Sequence, residues 1–121
     1  VKEGKDCQIA PCTGCLAGCV GQQTKRLCGT CVINPFCGHE IEMKIEPSTS
    51  NKRIMVIGGG IGGLSAARMC ALRGLNVEVF EKNNVIGGQI NLASKIAPKK
   101  EMHKWIDYLE SECQRLHIPV Q

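Results

Sequence analysis

The apolar and polar positions from residue 53 onward follow the pattern of buried strands. The run RIMVIG, which begins at Arg53, is short, rich in branched apolar residues and ends at glycines, as strands of parallel sheets do. The segment NVEVFE, from Asn76 to Glu81, alternates apolar and polar residues and predicts a second strand. The final residues, HIPVQ, predict the approach to a third strand.

Two helices are predicted between and after these strands. The segment from Ile61 to Arg73 contains good helix formers, and Gly74 stands where such a helix would end. Its apolar face consists of Leu64, Ala67 and Ala71. The segment from Lys100 to Leu116 places apolar residues at steps of three and four, which is the spacing of an amphipathic helix. These residues are Met102, Ile106, Leu109, Cys113 and Leu116.

The first part of the chain has a different character. Residues 1–40 are rich in cysteine and glycine and lack a sustained apolar period, so we expect a metal centre to order them. Residues 41–52 contain a Pro-Ser-Thr-Ser-Asn cluster and predict a connector. Strand, helix, strand and helix cannot cover both faces of a parallel sheet, so we expect residues 53–121 to belong to a longer polypeptide.

A glycine-rich motif lies between the first predicted strand and the first predicted helix. The stretch IMVIGGGIGGL contains G-x-G-x-x-G as Gly58, Gly60 and Gly63. Gly58 would permit the sharp turn, Gly60 the close approach of a pyrophosphate, and Gly63 the tight packing of helix on strand. The positive end of the helix dipole would face the phosphates. The motif predicts a dinucleotide-binding site.

An acidic residue follows at the expected distance. Glu81 closes the second strand, eighteen residues after Gly63, where a carboxylate accepts hydrogen bonds from the hydroxyls of an adenosine ribose. A carboxylate there repels a ribose 2′-phosphate, so we predict FAD or NAD and not NADP. The second glycine turn, Gly87-Gly88-Gln89, favours FAD because it would let the backbone pass close to an extended cofactor.

The cysteines form a second candidate site. Seven of the nine cysteines lie between Cys7 and Cys37, and four of them follow the pattern C-x2-C-x3-C-x11-C. Four thiolates can occupy the corners of an iron-sulfur cube, whose soft iron sites require sulfur ligands. Gly14 and Gly18 would let the backbone bend around the cluster and donate amides to its sulfurs. The four candidate ligands are Cys12, Cys15, Cys19 and Cys31.

Spacing alone leaves other uses of these cysteines open. Replacing Cys19 by Cys28 gives two C-x2-C pairs twelve residues apart, which is close to a zinc-ribbon arrangement. A set of disulfides is the third interpretation. Both metal sets share three ligands, and both leave Cys7 and Cys37 unused.

Composition and charge exclude some functions. The 15 Lys and Arg against 11 Asp and Glu give a net charge of +4, scattered along the chain, which does not indicate a nucleic-acid surface. Apolar runs fall short of the roughly 18 to 20 residues of a membrane helix, and VKEGKDCQ lacks the apolar core of a secretory signal. We expect a soluble, cytoplasmic protein with neither nucleic-acid nor membrane partners.

The two motifs together resemble a known enzyme family. A four-cysteine element followed by KRIMVIGGGIGGLSAA and FEKNNVIGGQI resembles the C-terminal portion of iron-sulfur flavoenzymes related to old yellow enzyme. The family includes 2,4-dienoyl-CoA reductase, 2-enoate reductase and trimethylamine dehydrogenase. The resemblance begins near Gly4, and its most specific stretches are PCTGCLAGC, CVINP and the GGGIGGL-to-GGQ block.

The resemblance implies a fold and two sites. The implied fold class is α/β: an incomplete Rossmann-like FAD/NAD(P)-binding domain, preceded by a small, loop-dominated, Cys-rich segment that binds a cluster. Cys12, Cys15, Cys19 and Cys31 would ligate a 4Fe-4S cluster, with Cys28 as an additional thiol. The dinucleotide site would contain Gly58, Gly60, Gly63, Glu81, Lys82, Gly88 and Gln89.

The resemblance also implies a role in electron transfer. In such enzymes electrons pass from NAD(P)H through FAD and the cluster to an FMN-bearing barrel, which reduces the C=C bond of a small enoate or enone. The barrel and the nicotinamide domain are absent from this sequence, so we expect a segment without catalytic residues that does not turn over alone.

Alternative functions and the remaining candidate residues complete the predictions. One alternative is a zinc-stabilised binding module fused to a dinucleotide-binding domain, and another is a subunit of a disulfide-reducing or glutamate-synthase-like complex. We expect His39 in a loop, His103 on a helix surface and His117 near a helix end. Cys70 and Cys113, among apolar neighbours, are expected to be small core residues.

Overall fold

The computed structural model describes residue 4 and residues 8–121. A 3-10 helix at Ala97–Met102 leads into the last α-helix. Cys7, for which the sequence predicts no ligand role, lies outside the described residues. The other elements, in chain order, are α1 (Val20–Gln23), β1 (Arg53–Ile57), α2 (Ile61–Leu72), β2 (Asn76–Phe80), α3 (Ile90–Ala93) and α4 (His103–Arg115).

The two strands are parallel neighbours, with α2 as the crossover between them. They pair in register from Arg53 with Asn76 onward. The end of the chain extends the same sheet, because the Val79 N–H donates to the Pro119 carbonyl at 2.9 Å and the Gln121 N–H donates to the Val79 carbonyl at 2.9 Å. The final residues therefore form a parallel bridge between Val120 and Val79 on the other side of β2, which agrees with the predicted approach to a third strand.

The predicted core is confirmed. Leu64 and Ala67 of α2 are fully buried against Val77 and Val79 of β2. The apolar face of α4 packs into the same core, with Ile106, Leu109 and Cys113 buried and Met102 and Leu116 partly buried.

Both isolated cysteines belong to this core. Cys70 is partly buried and packs against the core cluster, while Cys113 is 3% exposed. Burial is the largest effect on Cys113 and raises the pKa of its thiol, so the unreactive protonated form is favoured. Both residues are core residues, as predicted.

The last long helix begins and ends differently from a simple α-helix. Helical turns start at Ala97, earlier than the predicted Lys100, because Pro98 in the first turn has its φ fixed near the helical value. The α-helical part starts only at His103. At the other end His117 adopts the left-handed conformation, with φ 54°, and its N–H donates to the Gln114 carbonyl at 3.1 Å.

A buried ion-pair network joins α2 to α4, and the sequence did not predict it. Glu112 is 2% exposed and accepts hydrogen bonds from Arg68 Nε at 2.7 Å and Arg115 Nε at 2.6 Å. The Arg68 guanidinium also lies over the Tyr108 ring, 5.6 Å from its centroid. Hydrogen bonds from the two arginines hold the pKa of Glu112 below its usual value, although burial opposes them.

The described residues before β1 form turns and extended chain around the short α1. The connector is fastened to the end of α2, because the Ser48 N–H donates to the Arg73 carbonyl at 2.8 Å and Arg73 Nε donates to the Glu46 carbonyl at 3.0 Å. Of the helices that the structure describes, none combines the length and apolar character needed to span a membrane.

Candidate dinucleotide and cysteine sites

The glycine loop, residues 58–63, makes the sharp turn from β1 into α2. Gly58 has φ +103°, a conformation that residues with a Cβ rarely adopt, and its N–H donates to the Phe80 carbonyl at 2.7 Å. A Cβ on Gly63 would stand 1.9 Å from the Gly58 carbonyl oxygen and 3.3 Å from Val56 Cγ1. Helix α2 therefore packs directly on the turn, with no space for a side chain at this position.

The N-terminus of α2 is suited to an anion. Gly60 is the N-cap residue in an extended conformation, and a Cβ on it would meet nothing within 4 Å. The first turn of the helix contains no acidic residue. The positive end of the helix dipole and the open space beside Gly60 together form a place where phosphate groups can approach the backbone.

Glu81 lies directly beside the glycine loop. One carboxylate oxygen, Oε2, accepts a hydrogen bond from the Gly59 N–H at 2.7 Å, and the other, Oε1, accepts from the Asn83 N–H at 3.0 Å and from Asn83 Nδ2 at 2.8 Å. The hydrogen bonds from Asn83 and Gly59 lower the pKa of Glu81. The carboxylate is ionised at neutral pH and connects the end of β2 to the loop.

The second glycine turn packs against the first. The Gly87 N–H donates to the Gly59 carbonyl at 2.8 Å, and a Cβ on Gly88 would stand 3.3 Å from the Gly60 Cα. Asn91 supports this turn by donating from Nδ2 to the Ile86 carbonyl at 2.6 Å. The two turns therefore form one surface.

The predicted dinucleotide residues do not all lie equally close to the loop. Gly58, Gly60, Gly63, Glu81 and Gly88 come together in the two turns, as described above. Lys82 and Gln89 lie at the edge of this group, and both are exposed. Lys82 acts on Glu81 through its positive charge, which is a minor cause of the lowered carboxyl pKa.

The four cysteines of the predicted cluster set line one cavity, which we name the cysteine cavity. Its thiol-bearing residues are Cys12, Cys15, Cys19 and Cys31, and Cys28 is not among the residues that line it. Leu16, Val32 and Ile33 supply apolar walls, and Thr13, Gly18 and Thr30 complete the lining.

Backbone contacts bring these cysteines together. The Thr30 N–H donates to the Gly18 carbonyl at 3.0 Å, and a Cβ on Gly18 would stand 2.5 Å from the Thr30 carbonyl oxygen. This close approach places the residue before Cys19 against the residue before Cys31. In the tight turn, the Gly14 N–H donates to Cys12 Sγ at 3.4 Å. The amide donation to cluster sulfurs that the sequence predicts for Gly14 and Gly18 stays a prediction.

The cavity fits a polynuclear cluster by the chemistry of its donors. Four thiols around one space are the ligand type that iron-sulfur clusters use, and an amide donor to sulfur is a usual influence on their potential. Among residues 8–121, no three His, Cys, Asp or Glu side chains are grouped in the way that a metal ion requires.

Among the described residues of this segment, two more cysteines, Cys28 and Cys37, lie near each other outside the lining of the cavity. Cys28 Sγ would be 3.3 Å from a Cβ on Gly38. Desolvation and then the neighbouring Cys31 thiol raise the pKa of Cys37. His39, in a loop as predicted, lies 3.1 Å from the Glu42 carboxylate through Nδ1.

Two residues near the dinucleotide site were missed from the sequence. Asn83 donates its side-chain amide to the Glu81 carboxylate, and Asn91, in α3, donates its amide to the Ile86 carbonyl just before the second glycine turn. Asparagine is common in and around turns, so the residue type gave no signal. The position of Asn83 two residues after Glu81 is the feature that could have indicated its contact, since Asn side chains often bond to nearby loop groups.

Comparisons with known proteins agree with this geometry. Residues 56–106 match a family described as an NAD(P)-binding Rossmann-like domain. The chain is 37% identical over 121 residues to a bilirubin reductase of Mediterraneibacter gnavus, and the alignment covers 100% of this chain and 19% of the reductase. It is 32% identical over 123 residues to a multifunctional alkene reductase/demethylase, OYE, of Caballeronia cordobensis, covering 100% of this chain and 17% of the relative.

A solved structure is similar over almost the whole chain. The structure of a 2-naphthoyl-CoA reductase with 2-naphthoyl-CoA matches with a TM-score of 0.95 at 30% identity, covering 99% of this chain and 18% of the other. The similarity includes the Cys-rich segment as well as the dinucleotide unit, because the coverage leaves only about one residue unmatched.

Fold and glycine loop together define a Rossmann-like NAD(P)-binding unit built on a parallel sheet. The relatives confirm the resemblance to flavoenzymes related to old yellow enzyme and 2-enoate reductase that the sequence predicted: the chain is similar to bilirubin, metal, cinnamate and alkene reductases. It spans 17% to 19% of the length of the two curated relatives described above.

Proposed function

We propose that this chain is the electron-transfer segment of a larger NAD(P)H-dependent flavoenzyme. Residues 1–40 form a cluster-binding segment, residues 41–52 a linker, and residues 53–121 the first half of an FAD-binding domain. The cluster passes electrons from FAD to an FMN-containing barrel, which reduces the C=C bond of an enoate- or enone-type substrate. The barrel and the nicotinamide domain belong to the parts of the enzyme outside this chain.

The cysteine cavity is the observation that carries the proposal. Cys19 lines it together with the three cysteines that both metal hypotheses share, whereas Cys28 does not. This arrangement supports the 4Fe-4S ligand set of Cys12, Cys15, Cys19 and Cys31 over the zinc set. A two-electron hydride donor and a distant flavin need a one-electron carrier between them, and a cluster in the cysteine cavity would supply that step.

The dinucleotide part of the proposal rests on Glu81 and the two glycine turns. An ionised carboxylate at the end of β2 favours a free adenosine ribose and disfavours a 2′-phosphate, and the second glycine turn favours the extended FAD over NAD, so FAD is the proposed ligand of this unit. Gly58, Gly60 and Gly63 would hold the pyrophosphate, with Lys82, Gly88 and Gln89 at the edge of the site. FAD would supply hydride acceptance and single-electron release when bound.

Metal analysis of cysteine variants tests the proposal. The full-length protein, purified without oxygen, is expected to contain about four iron and four sulfide per chain and to be brown. Cys19→Ser is expected to lose the iron and sulfide, while the matched variant Cys28→Ser keeps them. One bound zinc in place of iron, or loss of metal in Cys28→Ser with retention in Cys19→Ser, would show that the zinc set is correct.

A further inference from the structure

Asn83 controls the hydrogen bonds that reach the Glu81 carboxylate. Its backbone N–H and its side-chain Nδ2 both donate to Oε1, at 3.0 and 2.8 Å. An ionised carboxylate only accepts hydrogen bonds, so the nitrogen end of the Asn83 amide must face it. The Gly59 N–H occupies Oε2 at 2.7 Å.

These donors use most of the acceptor capacity of Glu81. A carboxylate has about four lone-pair positions, and the three donors leave roughly one of them free. Three fixed donors also prevent the side chain from rotating away from the glycine loop. The carboxylate is therefore oriented before any ligand binds and can accept about one further hydrogen bond without losing a protein contact.

We propose that Asn83 is a positioning residue for ribose recognition, which fixes the Glu81 carboxylate so that its remaining acceptor position takes the 2′-hydroxyl of the adenosine ribose. This inference rests on the proposed dinucleotide function and adds to it the residue that sets the selectivity for an unmodified ribose hydroxyl. Without the side-chain amide, the carboxylate keeps two backbone donors but gains a free rotation and a second open acceptor position.

The charged surroundings of Glu81 allow a test by pH. Lys82, the residue after Glu81, supplies a positive charge, and the glycine loop contributes the Gly59 N–H. At the end of the chain, the Gln121 backbone carbonyl accepts the Glu81 backbone N–H at 2.7 Å. Changing Asn83 to an acid would place a second carboxylate against Oε1. Two carboxylates in contact share a proton at low pH, and the shared proton restores a donor to Glu81.

The first experiment measures selectivity for the ribose hydroxyl. FAD-depleted full-length protein is titrated calorimetrically with ADP and with 2′-deoxy-ADP, in wild type, Asn83→Ala and the matched control Asn84→Ala. A hydrogen bond to a charged group predicts that wild type and Asn84→Ala prefer ADP about tenfold or more. Asn83→Ala is expected to lower this preference several-fold, and Asn83→Ser, which keeps a donor, to restore part of it.

The second experiment measures ADP affinity against pH in Asn83→Asp and Asn84→Asp. Asn83→Asp is expected to bind ADP weakly near neutral pH and to recover affinity below about pH 5, where the shared proton is present. Asn84→Asp is expected to follow wild type. A role of Asn83 in folding alone would shift thermal stability without this recovery at low pH.

The outcomes separate this inference from the proposed function. If wild type prefers ADP but Asn83→Ala keeps the same preference, or if the two acidic variants have the same pH profile, the role of Asn83 is refuted and the dinucleotide site remains. If wild type does not distinguish ADP from 2′-deoxy-ADP, both the role of Asn83 and that of Glu81 in the proposed site are refuted.

Discussion

The contact between Gly63 and the turn at Gly58 gives a sharp prediction about stability. Gly63→Ala would bring a methyl group to 1.9 Å from the Gly58 carbonyl oxygen, so backbone must move by more than 1 Å to restore an ordinary contact. Overpacking of this kind costs about 1 to 3 kcal/mol, and more where the obstacle is backbone. Alanine recovers up to about 1 kcal/mol of helix propensity, which offsets only part of this cost.

The neighbouring glycine provides the matched control. A Cβ on Gly62, in the same first turn of α2, would meet nothing within 4 Å. Gly62→Ala is therefore expected to stabilise the protein by about 0.5 to 1 kcal/mol, because it restricts the unfolded chain without a clash. The gain from alanine is common to both variants, so their free energies of unfolding should differ by the overpacking cost, about 1 to 3 kcal/mol or more.

Urea denaturation followed by far-ultraviolet circular dichroism measures this difference in the ligand-free protein. Equal midpoints for Gly62→Ala and Gly63→Ala, at equal slopes, would refute the argument that close packing of α2 on the turn requires glycine. A lower slope in Gly63→Ala alone would indicate that the variant has lost part of its native packing.

Two further predictions concern α4. Glu112→Ala removes the carboxylate that Arg68 and Arg115 share and should destabilise the protein by about 1.5 to 3 kcal/mol, because both arginines are partly exposed and water can solvate them. Glu110→Ala at an exposed position should change stability by less than about 0.5 kcal/mol. Because the pKa of Glu112 is lowered in the folded state, its contribution to stability is complete above its unfolded-state pKa and is lost as the pH falls through its folded-state pKa. Wild type should therefore lose more stability in acid than Glu112→Gln does, and an equal loss would contradict this reasoning. His117→Gly should raise stability by about 1 kcal/mol, because His117 has φ 54°, a left-handed conformation that glycine adopts without strain. Thermal melting measures this change, and the control His103→Gly, at the start of α4, should instead destabilise the protein.

The sequence predicted the two strands, the two long helices and their apolar faces because each depends on local periodicity, whereas the four-residue helices α1 and α3 are too short to show a period and were not predicted. Helix α2 ends within a residue of its expected end, because Gly74 with φ +78° terminates it. The predicted start of the last helix, Lys100, was wrong, because Pro98 lies in the first turn of a 3-10 helix that precedes the apolar residues spaced at three and four. Periodicity carries no information about such a change in helix type.

The buried network and the choice of ligands could not be predicted in the same way. Glu112 lies one residue before Cys113 on a face that is otherwise apolar, and acidic side chains at such positions are usually solvated. Its burial depends on Arg68, which is 44 residues away in sequence. Likewise, the spacing of the cysteines in the sequence does not determine which thiols line the same cavity, because that depends on how the chain folds between them.

The close packing of α2 on the glycine turn links the order of the hydrophobic core to the affinity for a nucleotide. Leu64, the residue after Gly63, is fully buried, and its N–H donates to the Gly60 carbonyl at 2.9 Å. Any substitution that loosens the hydrophobic interior therefore also disturbs the direction of the amides that would face a phosphate. Nucleotide affinity should consequently report on the packing of the core, and core variants should lose affinity before they unfold.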